Sequence, residues 1–309
     1  MSKIDLLALC RIRDISWYFL ARQAQRPGGL EELFAGAAAE TGPEAKASLA
    51  AIAAEAGRLD EHREWVRGVV AAAEADGIGL TTVLDADYPP NLRLIFNLPP
   101  FLFYRGQLRP DDIRAVAVVG TRSPSEDGIR RARRIAQLLA QGGVTVLSGL
   151  ARGVDTVAHE SCLEAGGRTI AVLGSGLHRI YPPENGDLAE RISASGAVVS
   201  QFWPDSPPRR DTFPRRNVTM SGLGQGSVVI EASASSGAKM QARFALEHGK
   251  RLFLPSSLVR EREWARLYLS RSALATEIAT VDDIVQLLQS REQIEAKADA
   301  RLQLSLALA

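Results

Sequence analysis

Only two of the 309 residues are cysteine, Cys10 and Cys162. They stand far apart, with no C-x-x-C pair and no nearby histidine spacing. That excludes a disulfide scaffold and a zinc motif, and both read as small buried thiols. Histidine is scarce, at four residues, and no acid–histidine cluster has metal-ligand spacing, so no metal is expected. No apolar run approaches a membrane span, and the start MSKIDLLALCRIRDISW has no signal-peptide cleavage pattern. The expectation is a cytoplasmic chain with no membrane partner. Formal net charge is only +1, so a nucleic-acid site must be a local patch and not a global charge. The P-loop lysine is missing, as are a G-x-G-x-x-G in the first turn and a nucleophile in an elbow. No catalytic residue and no cofactor is therefore assigned, and a binding protein is favoured over an enzyme.

What is present is a soluble composition, 46% hydrophobic and 24% charged, in a length that suits two domains. The chain is organised around residues 115–159. Ala115 to Val119 is a continuous apolar run of the kind buried on both faces in a parallel sheet. Gly120-Thr121-Arg122 follows, then a helix-period stretch with Ile129, Ala132, Ile135, Ala136 and Leu139 on one side. Gly142-Gly143 stops it. Val144 to Leu147 is a second run and leads into Ser148-Gly149-Leu150-Ala151-Arg152-Gly153. This is a βαβ unit with glycine turns at the carboxyl ends of neighbouring strands, where open α/β sheets bind ligands. Helix N-termini and two arginines at these turns forecast an anion site, phosphate above all.

The remaining chain fits an α/β fold. Residues 4–75 read as helices: one apolar stretch from Ile4 to Ala24, then Leu30–Ala39, Pro43 to about Gly57, and Leu59–Ala75. Ile78–Leu84 and the run behind Pro99-Pro100 add a strand or two. Arg168–Leu173, Ala197–Ser200, Ser227–Ala232 and Arg251–Pro255 complete the sheet. Gly174-Ser175-Gly176 and Ser235-Ser236-Gly237-Ala238-Lys239 are further small-residue turns. Glu261–Leu269 and Val281–Leu288 read as helical, and the tail after Ser290 as a charged helix.

Residues 201–217 hold four arginines, three aromatics and four prolines. Arginine pairs with phosphate and an aromatic ring stacks a base, so this loop suits a single-stranded nucleic acid. A short helix, Val218–Leu223, should follow it. Asp155 and His159 share a helix face and read as holding the second turn. Glu231 reads as a loop anchor. As an alternative reading, the pocket takes a nucleotide or nucleotide-derived ligand, with Glu231 or His159 as acid or base, as in a defence-type sensor or hydrolase.

The blocks VAVVGTR, SGLARGVDTVAH, GRTIAVLGSGL with YPPEN, FPRRN…SGL and VVIEASASSGA occur in this order. Together they resemble the DNA-processing protein A family, also called DprA or Smf, over about residues 80 to 255. The resemblance implies an extended Rossmann-like, mostly parallel sheet with a small N-terminal helical domain. The divisions are 1–77 (SAM/HhH-like helices), 78–290 (DNA-binding domain) and 291–309 (tail). It implies single-stranded DNA binding, a homodimer, and loading of a RecA-type recombinase during natural transformation or recombination. Gly120, Arg122, Ser148, Gly149, Arg152, Gly153, Gly174, Gly176, Phe213, Arg216, Asn217, Ser236 and Gly237 carry the motif positions. Thr121 stands where serine is usual, and Lys239 completes the DNA- and phosphate-binding set. The pattern departs at Val218, at Gln201 and after Pro255, where Ser256 replaces glycine. With Arg122, Arg152, Arg216 and Lys239 on phosphates and Phe213 stacking a base, the salt slope for a single strand should be about −3.

Overall fold

Seven short runs form the heart of the molecule, and all but the one at the sheet's edge are almost wholly buried. In the computed structural model, which describes residues 1–307 and side chains through 303, they are β3 (Ala115–Val119), β4 (Thr145–Ser148), β5 (Thr169–Val172), β6 (Ala197–Ser200), β7 (Gly226–Val229), β8 (Arg251–Pro255) and β9 (Ala275–Ile278). With β1 (Gly79–Thr82) and β2 (Phe101–Gly106) they make one nine-stranded sheet in the order β1-β2-β6-β5-β4-β3-β7-β8-β9. The pairs from β6 through β9 are parallel, whereas β1–β2 and β2–β6 are antiparallel. The fold is thus α/β with a mostly parallel sheet. Strand order reverses between β3 and β7, which puts the topological switch point beside the turn after β3.

Period-2 alternation divides β3 between two cores. Val116 and Val118 join Ala132, Ala136 and Val154 of the helices Glu126–Gln141 and Val154–Glu164 on one face. Ala115, Ala117 and Val119 join Val218, Met220 and Leu223 of the helix Thr212–Leu223 on the other. That second core continues without a break into the N-terminal helices. Trp17 lies 5.0 Å from Phe101, and Trp203 lies 5.0 Å from both Phe101 and Trp65.

Several boundaries differ from the sequence expectation. Ile4–Ala24 is two helices, Lys3–Arg11 and Trp17–Ala24, because the intervening segment places Asp14 at φ +62°. The next helix ends at Phe34 and the third at Ala54, while Leu59–Ala75 is as read. The strand β9 is an addition: Ala275–Ile278 lies at the sheet's edge and is only partly covered, so its apolar content is low. The helix expected from Val218 begins six residues earlier, at Thr212. Pro214 is accommodated because the first turn's N–H groups lack intrahelical partners anyway. The expected charged tail is a helix, Arg291–Ala307, with Ile294 and Ala298 buried. Residues 308–309 of that tail lie outside the described residues. Among the described residues, no helix is long and apolar enough to cross a membrane, and no group of three or more His, Cys, Asp or Glu residues could hold a metal ion.

Candidate nucleic-acid interface

The turns after β3, β4 and β5 converge with the start of the Thr212–Leu223 helix on one shallow depression of about 30 Å³, lined by Arg122, Gly149, Ala151, Arg152, Tyr181, Pro182, Phe213 and Arg216. The three arginines named from the sequence therefore meet at one depression.

The turns are locked to one another by backbone bonds. Thr121 N–H donates to the Glu231 carbonyl at 2.8 Å, and the Thr121 carbonyl accepts from Val154 N–H at 3.2 Å. Gly153, at φ +79°, opens the next helix against this turn. Glu231 accepts from the Ser125 N–H and hydroxyl at 3.2 and 2.9 Å, the anchoring role read from the sequence. Asp155 is buried and accepts from Gly149 N–H at 3.1 Å and Ala151 N–H at 3.4 Å. Burial raises its pKa, opposed by the Arg216 charge and those N–H groups. Asn185 donates to the Leu150 carbonyl and to Thr156 Oγ1, both at 2.9 Å, and so ties the Tyr181–Asn185 loop to the second turn.

The three guanidinium groups are not equivalent. Arg122 is exposed and stands over the Phe213 ring, 5.9 Å from its centroid, with no acid partner among the described residues. Arg152 is exposed and ion-paired through Nε to the exposed Glu184. Arg216 is a correction to the expected set. Its Nη1 donates to the carbonyls of Gly149 and Val172, the latter at 3.0 Å, and its Nε to Asn217 Oδ1 at 2.9 Å. Burial lowers its pKa, against the pull of Asp155. It sits so close over Gly149 that a Cβ there would overlap the guanidinium. Arg216 is therefore a strut beneath the depression that only lines its floor.

Other expected contacts are also turned inward. Asn217 donates to the Gly237 carbonyl at 3.3 Å, joining the fourth turn to the same helix. The Ser148 hydroxyl is buried and donates to the Val118 carbonyl at 2.7 Å. Ser236 caps its helix by accepting from Lys239 N–H at 3.2 Å. Ser236, Gly237 and Lys239 do not line the depression. Gly120 packs on Val154, and Gly176 packs on the backbone of Trp203 and Pro204. Gly174 lies under Phe213, where a Cβ would come within 2.8 Å of the ring. The close approach these glycines permit is to the chain itself. Phe202 and Trp203, expected to interleave with the arginines, pack into the core, and Arg215 stacks on Trp17 and Phe202 at 4.9 and 5.1 Å.

His159 is corrected as a candidate acid or base. It is fully buried, its Nδ1 lies 2.7 Å from Thr169 Oγ1, and burial lowers its pKa to about 3. The His159 ring is thereby tied to β4 through the Thr169 hydroxyl, which also lies 2.8 Å from the Val146 carbonyl. It makes no hydrogen bond to Asp155 either. Tyr181 is the aromatic lining residue missing from the expected set. It is 41% exposed, with its ring 5.8 Å from that of Phe213. The Y-P-P-E-N block was its only signal.

A family model described as DNA recombination-mediator protein A matches residues 79–289, so the likeness runs past Pro255 through the altered segment. Protein Smf of Escherichia coli (strain K12) is 45% identical over 167 residues, which cover 54% of this chain and 45% of that protein. DNA processing protein DprA of Bacillus subtilis (strain 168) is 32% identical over 225 residues, 72% of this chain and 75% of that one. The X-ray structure of DNA processing protein A from Streptococcus pneumoniae aligns with a TM-score of 0.74 at 26% identity, covering 94% of this chain and 99% of that chain. The Helicobacter pylori protein, described for its single-stranded DNA binding mode, aligns with a TM-score of 0.59 at 26% identity, covering 67% and 94%. The chain spans about half the length of the first curated relatives it matches.

Proposed function

The chain belongs to the DNA recombination-mediator protein A family, and from that premise we propose that it binds single-stranded DNA without sequence preference at the depression above β3, β4 and β5. As a mediator it then presents the strand, as a homodimer, to a RecA-type recombinase. One observation carries the binding reading: Arg122 and Arg152 meet aromatic rings on a rim at the switch point of a parallel sheet. Guanidinium groups take phosphates bidentately, and an aromatic face accepts any base. The protein described for its single-stranded DNA binding mode supports the same assignment. A nucleotide-sized ligand fits less well. Enclosed small-molecule sites run to about 300–1,000 Å³, and this depression offers about 30 Å³.

Because Arg216 is engaged internally, two solvent-facing arginines remain at the depression, and the log–log salt slope there should be about −1.4, shallower than four cations would give. Fluorescence anisotropy with labelled single- and double-stranded oligonucleotides over a salt series tests this. The Arg122→Ala/Arg152→Ala double variant should flatten the slope and weaken single-strand binding. Equal affinity for duplex, or an unchanged slope in the double variant, would count against the site.

A further inference from the structure

We propose that the cleft between the N-terminal helices and the C-terminal helix is a second site, which takes a small phosphorylated molecule of about nucleotide size. It shares no lining residue with the depression above β3, β4 and β5 and is independent of the DNA-binding reading.

Besides Met1, three parts of the chain wall this cleft: residues between 22 and 40, the connecting segment 83–98, and the helix Arg291–Ala307. Its volume is about 820 Å³, within the range of about 300–1,000 Å³ that small-molecule sites occupy. Leu84, which is 38% exposed, and Ile95 and Leu98 supply apolar lining. Four guanidinium groups line the same cleft, those of Arg22, Arg26, Arg93 and Arg301.

The four differ in what answers them. Arg22 is bidentate to Glu40 at 2.7 and 2.9 Å and reaches Glu44 at 2.7 Å, so the chain itself satisfies it. Arg93 donates only to neutral acceptors among the described residues: Gln25 Oε1 and the carbonyls of Val83 and Asp85, at 3.2, 3.0 and 2.7 Å. Arg301 is exposed and donates to the Leu94 carbonyl at 2.8 Å. Burial lowers its pKa, and the Arg22 charge lowers it further, which places the two cations in each other's field. The Arg26 side chain is only 14% exposed, yet its Nε and Nη1 are buried with no hydrogen-bond partner among the described residues. Glu32 lies 3.9 Å from it but accepts its hydrogen bond from Gln23.

The carboxylates on the cleft do not make up the difference. Glu40 is taken by Arg22, Glu31 lies 3.2 Å from the Met1 ammonium, and Asp85 accepts from the Thr82 N–H and hydroxyl, both at 2.8 Å. Asp299 makes no hydrogen bond or ion pair among the described residues, and its charge acts on Arg93. One open carboxylate thus stands against three guanidinium groups, two with no ion pair and one with a loose pair. A buried guanidinium without acceptors costs folding stability. Its retention at the wall of a cavity points to an anion that supplies those acceptors. Phosphate suits such a cluster, because its oxygens take several N–H donors at once. The apolar lining suits the sugar or ring that carries it.

Thermal shift and calorimetric titration of the full chain with ADP and ribose 5-phosphate test this, with adenosine as the phosphate-free control. At least one phosphorylated probe should bind and raise Tm, and adenosine should do neither. Arg26→Met should leave the ligand-free Tm unchanged or raise it, since it removes a charge the chain does not answer. It should weaken the phosphorylated probe by about 10- to 150-fold, the worth of one charged hydrogen-bonding group. Arg301→Gln, at an exposed position, should weaken the probe without disturbing the fold. The Arg122→Ala/Arg152→Ala double variant should bind the probe as wild type does. Failure of both phosphorylated probes at millimolar concentration overturns the proposal. So does binding that survives in the Arg26→Met/Arg301→Gln protein, or binding that the Arg122→Ala/Arg152→Ala variant loses. A sharply lowered Tm in ligand-free Arg26→Met overturns it too, by showing that guanidinium to be structural. The DNA-binding reading stands or falls on oligonucleotide affinity, which none of these probes measures.

Discussion

Arg168 and Arg122 stand at opposite ends of the same parallel strands and have opposite fates. Arg168, at the amino end just before β5, is largely buried and bidentate to Asp112 at 2.5 and 2.8 Å, with further bonds to the carbonyls of Ser195 and Gln107. Arg122, at the carboxyl end just after β3, has only an aromatic ring beneath it. The amino end closes its charges inward, whereas the carboxyl end leaves at least one unanswered. What separates a structural arginine from a binding one is therefore whether the chain itself supplies an acceptor.

The largest effect should come from breaking the closed end. Arg168→Ala leaves the Asp112 carboxylate half-buried beside an empty site and should cost about 3–5 kcal/mol of folding stability. Urea unfolding followed by circular dichroism measures it. The folded fraction should still bind oligonucleotide with the wild-type salt slope. A loss under about 1 kcal/mol would mean that the amino end is as open as the carboxyl end.

How much of this contrast the sequence discloses depends on what decides each feature. The buried strands are legible because a run such as Ala115–Val119 or Ala197–Ser200 has few other places to go, and both boundaries match the expectation. The meeting of Arg122 with Arg152 is legible too, since adjacent parallel strands bring their carboxyl turns together. The direction of a side chain is not legible. Arg209, Arg210, Arg215 and Arg216 look alike on paper. Only the helix start at Thr212 turns Arg216 down onto Gly149 and Arg215 toward Trp17. The same turn lays Phe213 over Gly174, and no local pattern announces it. The strand β9 escapes notice for another reason: an edge strand that is only partly buried carries little of the apolar signature that marks its neighbours.

The closed end has one imperfect closure, and it sharpens the comparison. Lys250, just before β8, is buried, and among the described residues its ammonium donates only to the Asn91 carbonyl, at 3.2 Å. Burial, reinforced by nearby Lys297 and Arg301, lowers its pKa to about 7. The unfolded lysine holds its proton to about pH 10.4. Between these values the unfolded chain binds more protons than the native one, so stability must rise with pH. From pH 7 to 9 the contribution should be roughly 2–3 kcal/mol. Lys250→Met should remove that rise, as read by Tm at the two pH values. A pH dependence identical to wild type would show that the ammonium is answered as fully as Arg168.

The smallest effect should come from opening the carboxyl end further. Arg152 is the intermediate case, since it has an acceptor, Glu184, but both partners are exposed. That carboxylate holds the Arg152 charge and is held by it in turn, which lowers the pKa of Glu184. A phosphate arriving at Arg152 must displace the carboxylate, and the repulsion between the two anions opposes its approach. An exposed pair of this kind is weak, so displacement is easy but still opposes binding. Glu184→Gln keeps the shape of the loop, removes the competing charge, and should tighten single-strand binding by about two- to fivefold at low salt. The gain should shrink as salt is raised, because screening weakens the competing carboxylate as well. It should vanish in an Arg152→Ala background, where there is no cation left to release. Tightening that persists without Arg152 would mean that Glu184 acts only as a general repulsive charge, and Arg152 would then belong with Arg168 and not with Arg122.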